Sequence, residues 1–179
     1  MSRKVVLYIA ASLDNYIARP DGDVAWLHAP EFLLPGEDYG YSKLYGSIDT
    51  TLMGYNTYSI IQGFDQPFPY ADTTNFVFTR STRHEDTDQV SFISGDIIEF
   101  IRNLKQEKGK DIWLIGGGQI NTLMLNNGLI DQIILTLIPI ILGAGIPLFQ
   151  GDPKEVRFKP VDGTYYQNGI VQWILSPDI

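Results

Sequence analysis

The chain has 179 residues, 44% of them hydrophobic and 19% charged, with a formal net charge of −8. This is the make-up of a folded protein with a sizeable core, expected as one domain over residues 1–179, and it excludes a disordered chain. The acidic balance argues against a nucleic-acid partner, though not against a nucleotide held by a few local donors, and with no cysteine and only His28 and His84 as histidines neither disulfides nor a Cys- or His-rich metal site is expected.

The first fifteen residues, MSRKVVLYIAASLDN, carry two basic residues, but the apolar run is short and Asp14 closes it. The segment reads as a strand over 4–11, apolar on both faces, rather than a secretory leader. No stretch is long and apolar enough to span a membrane, so a cytoplasmic protein without membrane partners is expected. Residues 12–30 read as a long loop marked by Pro20, Asp21-Gly22 and Trp26. A short helix over 38–47, a strand over 50–54 and a helical turn near 57–61 follow. Residues 75–79 (NFVFT) and 90–94 (VSFIS) are strands. Asp96 caps a helix, with Glu99 three residues on, and Ile97, Ile98, Ile101 and Leu104 form its buried face. A strand over 111–115, a helix from about Gln119 and a strand over 132–138 come next. The last segment, VRFKPVDGTYYQNGIVQWIL, reads as antiparallel strands with a type I′ turn at Asn168-Gly169. Strands alternating with helices and a closing hairpin predict a three-layer α/β fold, its central sheet mostly parallel with an antiparallel C-terminal edge.

The segment DIWLIGGGQINTLML (111–125) is the most informative. Glycine weakens strands and helices alike, so a run of three at a strand-to-helix junction needs a reason. Two readings fit: a tight turn whose glycines relieve crowding, or a backbone brought close to an anion at the positive end of a helix. Gly54-Tyr55-Asn56-Thr57 also follows a strand and opens a helix, with Thr57 either a phosphate contact or a simple cap. Thr79-Arg80-Ser81 ends a strand with a guanidinium and two hydroxyls, a set suited to a 2′-phosphate or to ordinary solvation.

Six phrases in order, IAASLDNYIA (9–18), DGDVAWL (21–27), DTTLMGYNTY (49–58), FVFTRS (76–81), WLIGGGQI (113–120) and LIDQIILTLIPIILGAGIPLF (129–149), resemble the dihydrofolate reductase superfamily. The last is most similar to the C-terminal reductase domain of the riboflavin-synthesis deaminase-reductases and their stand-alone relatives. The resemblance implies a dihydrofolate-reductase-like fold, NADPH as cofactor and hydride transfer to a small pterin-like or pyrimidine-like substrate. It places the cofactor against Gly54, Tyr55, Asn56, Thr57, Thr79, Arg80, Ser81, Gly116, Gly117, Gly118, Gln119 and Ile120. The main chain of Ala10 and Ile17 would hold the nicotinamide carboxamide. It further implies a cis peptide at Gly116-Gly117 and a homodimer. Tyr55 stands where the family usually has an arginine, which leaves the choice between NADPH and NADH open.

Hydride transfer to C=N or C=O usually needs a proton donor. Counting back from Gly54 in the family's spacing gives Asp38, counting forward from Trp26 gives Glu31, and the riboflavin-type pattern gives Asp14. Asp38 also suits a helix cap and Asp14 a turn. Thr136 matches a position whose hydroxyl bonds the family's acid, with a cross-strand partner as the alternative. Trp26 is expected to wall the substrate cleft or to close a loop over the core. Aromatic residues between 26 and 70 suit either a flat heterocycle or a subunit interface. The alternatives to a riboflavin-type reductase relative are a non-catalytic nucleotide-binding protein on the same fold and a true dihydrofolate reductase.

Overall fold

A computed structural model describes residues 2–178. Its centre is β1 (Val5–Ser12), buried along most of its length. β1 pairs in parallel with β6 (Asp111–Gly116) on one side and β7 (Gln132–Ile138) on the other. A strand with parallel neighbours and covered faces needs apolar side chains in both directions, which is what VVLYIAAS supplies. Outward from β6 lie β3 (Ile48–Gly54), β4 (Thr74–Phe78) and β5 (Ser91–Ile93), all parallel. Outward from β7 the antiparallel pair β10 (Val171–Pro177) and β9 (Phe158–Tyr165) completes eight strands in the order β5-β4-β3-β6-β1-β7-β10-β9. A separate two-stranded pair, β2 (Tyr16–Ala18) with β8 (Ile146–Pro147), lies inside what the sequence suggests are loops.

Side-chain alternation along the strands sorts the core into two layers. Val5, Leu7, Ile9, Ile112 and Leu114 pack under α3 (Ile97–Gln106) and α4 (Gly118–Asn126) with Ile101, Leu104, Met124 and Leu125. On the opposite face Val6 and Trp113 pack with Leu44 of α1 (Tyr41–Ser47), and Met53 and Val77 pack with Ile61 of α2 (Tyr55–Gln62). Each fully buried aliphatic side chain contributes roughly 1.5–3 kcal/mol. Helix α3 starts as its sequence predicts, with the Asp96 carboxylate accepting the Glu99 N–H at 2.9 Å.

Two local expectations need correction. Helix α1 begins at Tyr41 rather than residue 38, because Tyr39 and Gly40 take positive φ of 53° and 82° and cannot continue a helix. The closing hairpin does not use a type I′ turn. Gly169 has positive φ but Asn168 does not, and the turn instead runs through Tyr166, whose carbonyl accepts the Gly169 N–H and whose N–H donates to Ile170. The Asn168 side chain is recruited elsewhere, donating to the Phe32 carbonyl and to the Tyr39 hydroxyl.

Arg3 anchors the N-terminal ends of the strands. Its guanidinium is buried, pairs with Asp49 and donates to the Lys110 carbonyl at 2.6 Å, so β1, β3 and β6 are tied together at the sheet edge where these three strands begin.

Candidate functional site

A cleft of about 1000 Å³ opens at the C-terminal ends of the parallel strands, where α/β sheets commonly bind ligands. Two strand-to-helix turns form its floor. Gly54 ends β3 and precedes α2; Gly117 follows β6 and precedes α4. Neither helix has a side-chain cap, so the first-turn N–H groups of both remain available to a ligand. The turns nearly touch: a Cβ on Gly117 would stand 3.3 Å from Thr57 Oγ1, and one on Gly54 would stand 3.1 Å from Ile120 Cγ1. Thr57 lies inside α2 and caps nothing.

The three glycines do different work. Gly116 has φ of +109° and leaves no room for a side chain beside the buried amide of Asn121. A Cβ on Gly118 would overlap the Pro147 carbonyl and come within 3.0 Å of Gln150. Gly117 is the one whose missing side chain leaves space toward Thr57 and Ile17 in the cleft. The Gly116-Gly117 peptide is cis.

One end of the cleft is polar. Arg80 follows β4 and donates to Gln119 Oε1 at 2.9 Å, bridging two of its walls. The Thr79 and Ser81 hydroxyls accept loop N–H groups from Ser81 and Arg83, which shapes the segment around Arg80. Tyr55 stacks on His84 with ring centroids 4.4 Å apart, and His84 stacks on Phe92 at 5.1 Å. His84 also lines the cleft; its place in a loop between strands gave no sequence signal.

The other end is aromatic and apolar. Tyr8, Tyr70 and Trp113 line it together with Leu27, Ile60 and Phe64. Trp113 meets Tyr70 edge-on at 5.2 Å and Tyr8 at 6.0 Å, and its indole N–H donates to the Tyr8 carbonyl at 3.2 Å. The Tyr8 hydroxyl donates to the Tyr39 carbonyl at 3.1 Å. Alternation on the adjacent strands β1 and β6 puts Tyr8 and Trp113 on the same face, a signal the sequence carried.

Of the residues expected at a site, Ala10, Ile17, Gly54, Tyr55, Asn56, Thr57, Thr79, Arg80, Ser81, Gly117, Gly118, Gln119 and Ile120 line this cleft. The three acid candidates do not. Asp14 accepts the Ser12 hydroxyl at 2.6 Å and the N–H groups of Leu142 and Gly143 at 3.1 and 2.8 Å, clamping the turn after β1 to the segment before β8. The Ser12 hydroxyl foremost, and then these N–H groups, hold its carboxyl below the ordinary value. Asp38 is exposed and accepts N–H bonds from Gly40 and Ser42, both 2.9 Å long. Bonds from Ser42 chiefly, then Gly40, lower its pKa as well. Glu31 sits exposed in a 3₁₀ turn. Thr136 is buried and accepts from its cross-strand partner Gln172 at 2.9 Å. Trp26 packs against Phe32, Ile138 and Ile170, and its neighbour Leu27 reaches the cleft instead. Among the described residues no Asp or Glu lines the cleft, no cluster of three or more His, Asp or Glu could hold a metal, and no helix is long and apolar enough to cross a membrane.

Residues 3–172 match the RibD C-terminal domain. The uncharacterized protein YwjB of Bacillus subtilis (strain 168) is 42% identical over 159 residues, covering 89% of this chain and 90% of its own. A putative riboflavin biosynthesis protein from Shewanella sp. PV-4 superimposes over the whole of both chains with a TM-score of 0.87 at 28% identity. Dihydrofolate reductase from Enterococcus faecalis, solved as a complex with NADP(H), does so over the whole of both chains with a TM-score of 0.71 at 15% identity, a likeness of fold.

Proposed function

Because the chain belongs to the RibD C-terminal domain family and its cleft joins two uncapped helix starts to an aromatic chamber, we propose that it is an NADPH-dependent oxidoreductase acting on a small planar substrate. The observation that carries this reading is the meeting of α2 and α4 across Thr57 and Gly117. Two sets of backbone donors without side-chain caps meet there at the cleft surface, which suits a pyrophosphate lying across them. Gly54–Thr57 and Gly117–Ile120 would hold that group. Ala10 and Ile17 would hold the nicotinamide carboxamide through their main chain. Arg80, with the Thr79 and Ser81 hydroxyls, would receive the 2′-phosphate, the charge that Tyr55 does not supply. Bound in this way, the cofactor supplies a hydride, and the apolar chamber keeps bulk water from the acceptor.

The family resemblance favours a pterin-like or pyrimidine-like acceptor. The absence of any carboxylate lining the cleft speaks against dihydrofolate itself, whose protonated ring needs an anionic partner, and it also favours, as a second reading, a nucleotide-binding protein without turnover. The same proposal includes a homodimer in the cytoplasm, checked by light scattering and by fractionation. Titration with NADPH followed by tryptophan fluorescence is the direct test, since Trp113 lines the cleft. Saturable quenching is expected, and a flat response up to millimolar NADPH refutes the proposal. NADPH oxidation with pterins, pyrimidines and quinones then separates an enzyme from a binding protein.

A further inference from the structure

Among the described residues no charged side chain lines the chamber beyond the proposed cofactor site. The basic groups of the cleft are Arg80 and His84, and both lie at its polar end, Arg80 on Gln119 and His84 on Tyr55. A substrate that placed a phosphate or a carboxylate in the chamber would bury that charge without a partner, and the Asp38 and Glu37 carboxylates, which lie outside the lining but act on the Tyr8 hydroxyl, would repel it. The walls are edge-packed rings, Trp113 against Tyr8 and Tyr70, and Leu27 and Phe64 also line the cleft. This is a slot for a flat, uncharged molecule.

Hydrogen-bond donors in the chamber are few. The Trp113 N–H and the Tyr8 hydroxyl are both committed to backbone carbonyls. The Tyr70 hydroxyl has no hydrogen-bond partner among the described residues, and it is not among the side-chain polar atoms sealed inside the protein without one. Burial foremost, with the nearby Tyr41 and Tyr45 phenols, pushes its pKa well above the ordinary tyrosine value, so it stays a protonated donor throughout the neutral range.

We infer that the chamber takes an uncharged planar conjugated carbonyl compound of the quinone or enone class, with the Tyr70 hydroxyl donating to its carbonyl oxygen. This rests on the NADPH reading of the adjoining site. Two-electron reduction then balances as one hydride from the cofactor to the conjugated system and one proton from solvent, the cofactor being oxidised by the same two electrons. Tyr70 orients the acceptor and stabilises the charge that develops on its oxygen.

The test uses 2-methyl-1,4-naphthoquinone and dihydrofolate as probes on the protein saturated with NADP⁺. Calorimetry is expected to give at least tenfold tighter binding for the quinone. In infrared difference spectra, the quinone carbonyl band should fall in frequency on binding. Tyr70→Phe, which keeps the ring, should weaken quinone binding about five- to tenfold, abolish the carbonyl shift and leave NADP⁺ affinity unchanged. Tighter binding of dihydrofolate, or a Tyr70→Phe protein that matches the wild type in both quinone measurements, overturns the inference while the cofactor proposal stands. Failure of NADP⁺ itself to bind overturns the cofactor proposal instead.

Discussion

Replacing Gly117 by valine should remove cofactor binding while leaving the protein folded. The backbone there has φ −79° and ψ −162°, extended values open to any residue, so glycine is not required for conformational freedom. A Cβ would rest 3.3 Å from Thr57 Oγ1 and 3.9 Å from Ile17 Cδ1, a fit needing only a small shift. The two further methyl groups of valine have to occupy the gap between the starts of α2 and α4. Overpacking there costs about 1–3 kcal/mol of stability. A pyrophosphate kept from those N–H groups loses at least two charge-assisted hydrogen bonds at about 1.5–3 kcal/mol each, so NADPH affinity should fall by about a hundredfold or more. Gly117→Ala should fall between the two. NADPH titration by fluorescence, with a thermal melt of each variant, measures both quantities. A folded valine variant that binds NADPH within about twofold of wild type refutes the placement of the cofactor.

Arg80→Ala should weaken NADPH about three- to tenfold and NADH hardly at all, the modest size reflecting an exposed guanidinium; equal losses for both cofactors would remove the 2′-phosphate from this position. Asp14→Asn should leave hydride transfer and its pH profile at neutral pH unchanged, because the carboxylate clamps a turn outside the cleft. Its folded pKa is lowered, so the stability it contributes is complete above the unfolded value of about 4 and is lost as pH falls through the folded value. The wild type should therefore lose more of its melting temperature than Asp14→Asn as pH drops across that window. Gln172→Leu leaves the buried Thr136 hydroxyl without its donor and the Tyr39 carbonyl with the Tyr8 hydroxyl alone, and should cost about 1–2 kcal/mol in urea unfolding with NADPH affinity unchanged.

The parts of this fold set by periodicity and short-range chemistry were legible before the structure. Doubly buried β1, the Asp96 cap and the strand over 132–138 rest on local patterns that tertiary contacts do not override. The glycine-bearing turns and Arg80 were legible for the same reason: each sits at a junction where strand pattern gives way to helix or loop. The acid was not. Glu31 and Asp38 come from counting through residues 19–40, where 3₁₀ turns and four positive-φ residues replace the regular spacing, Asp14 comes from the riboflavin-type pattern, and all three lie outside the cleft. For Trp26 and Thr136 the sequence left two readings open, and the fold shows core packing for the tryptophan and a cross-strand glutamine for the threonine. Tyr70 lies in the loop before β4, and only the folded chain shows that it reaches Trp113.

A crystal structure of the protein with bound NADPH tests the central claim most directly. The pyrophosphate should lie between Gly54–Thr57 and Gly117–Ile120, with the 2′-phosphate at Arg80 and nicotinamide C4 turned toward the chamber of Tyr8, Tyr70 and Trp113. A cofactor bound elsewhere, or a cleft left empty at saturating NADPH, would contradict the account.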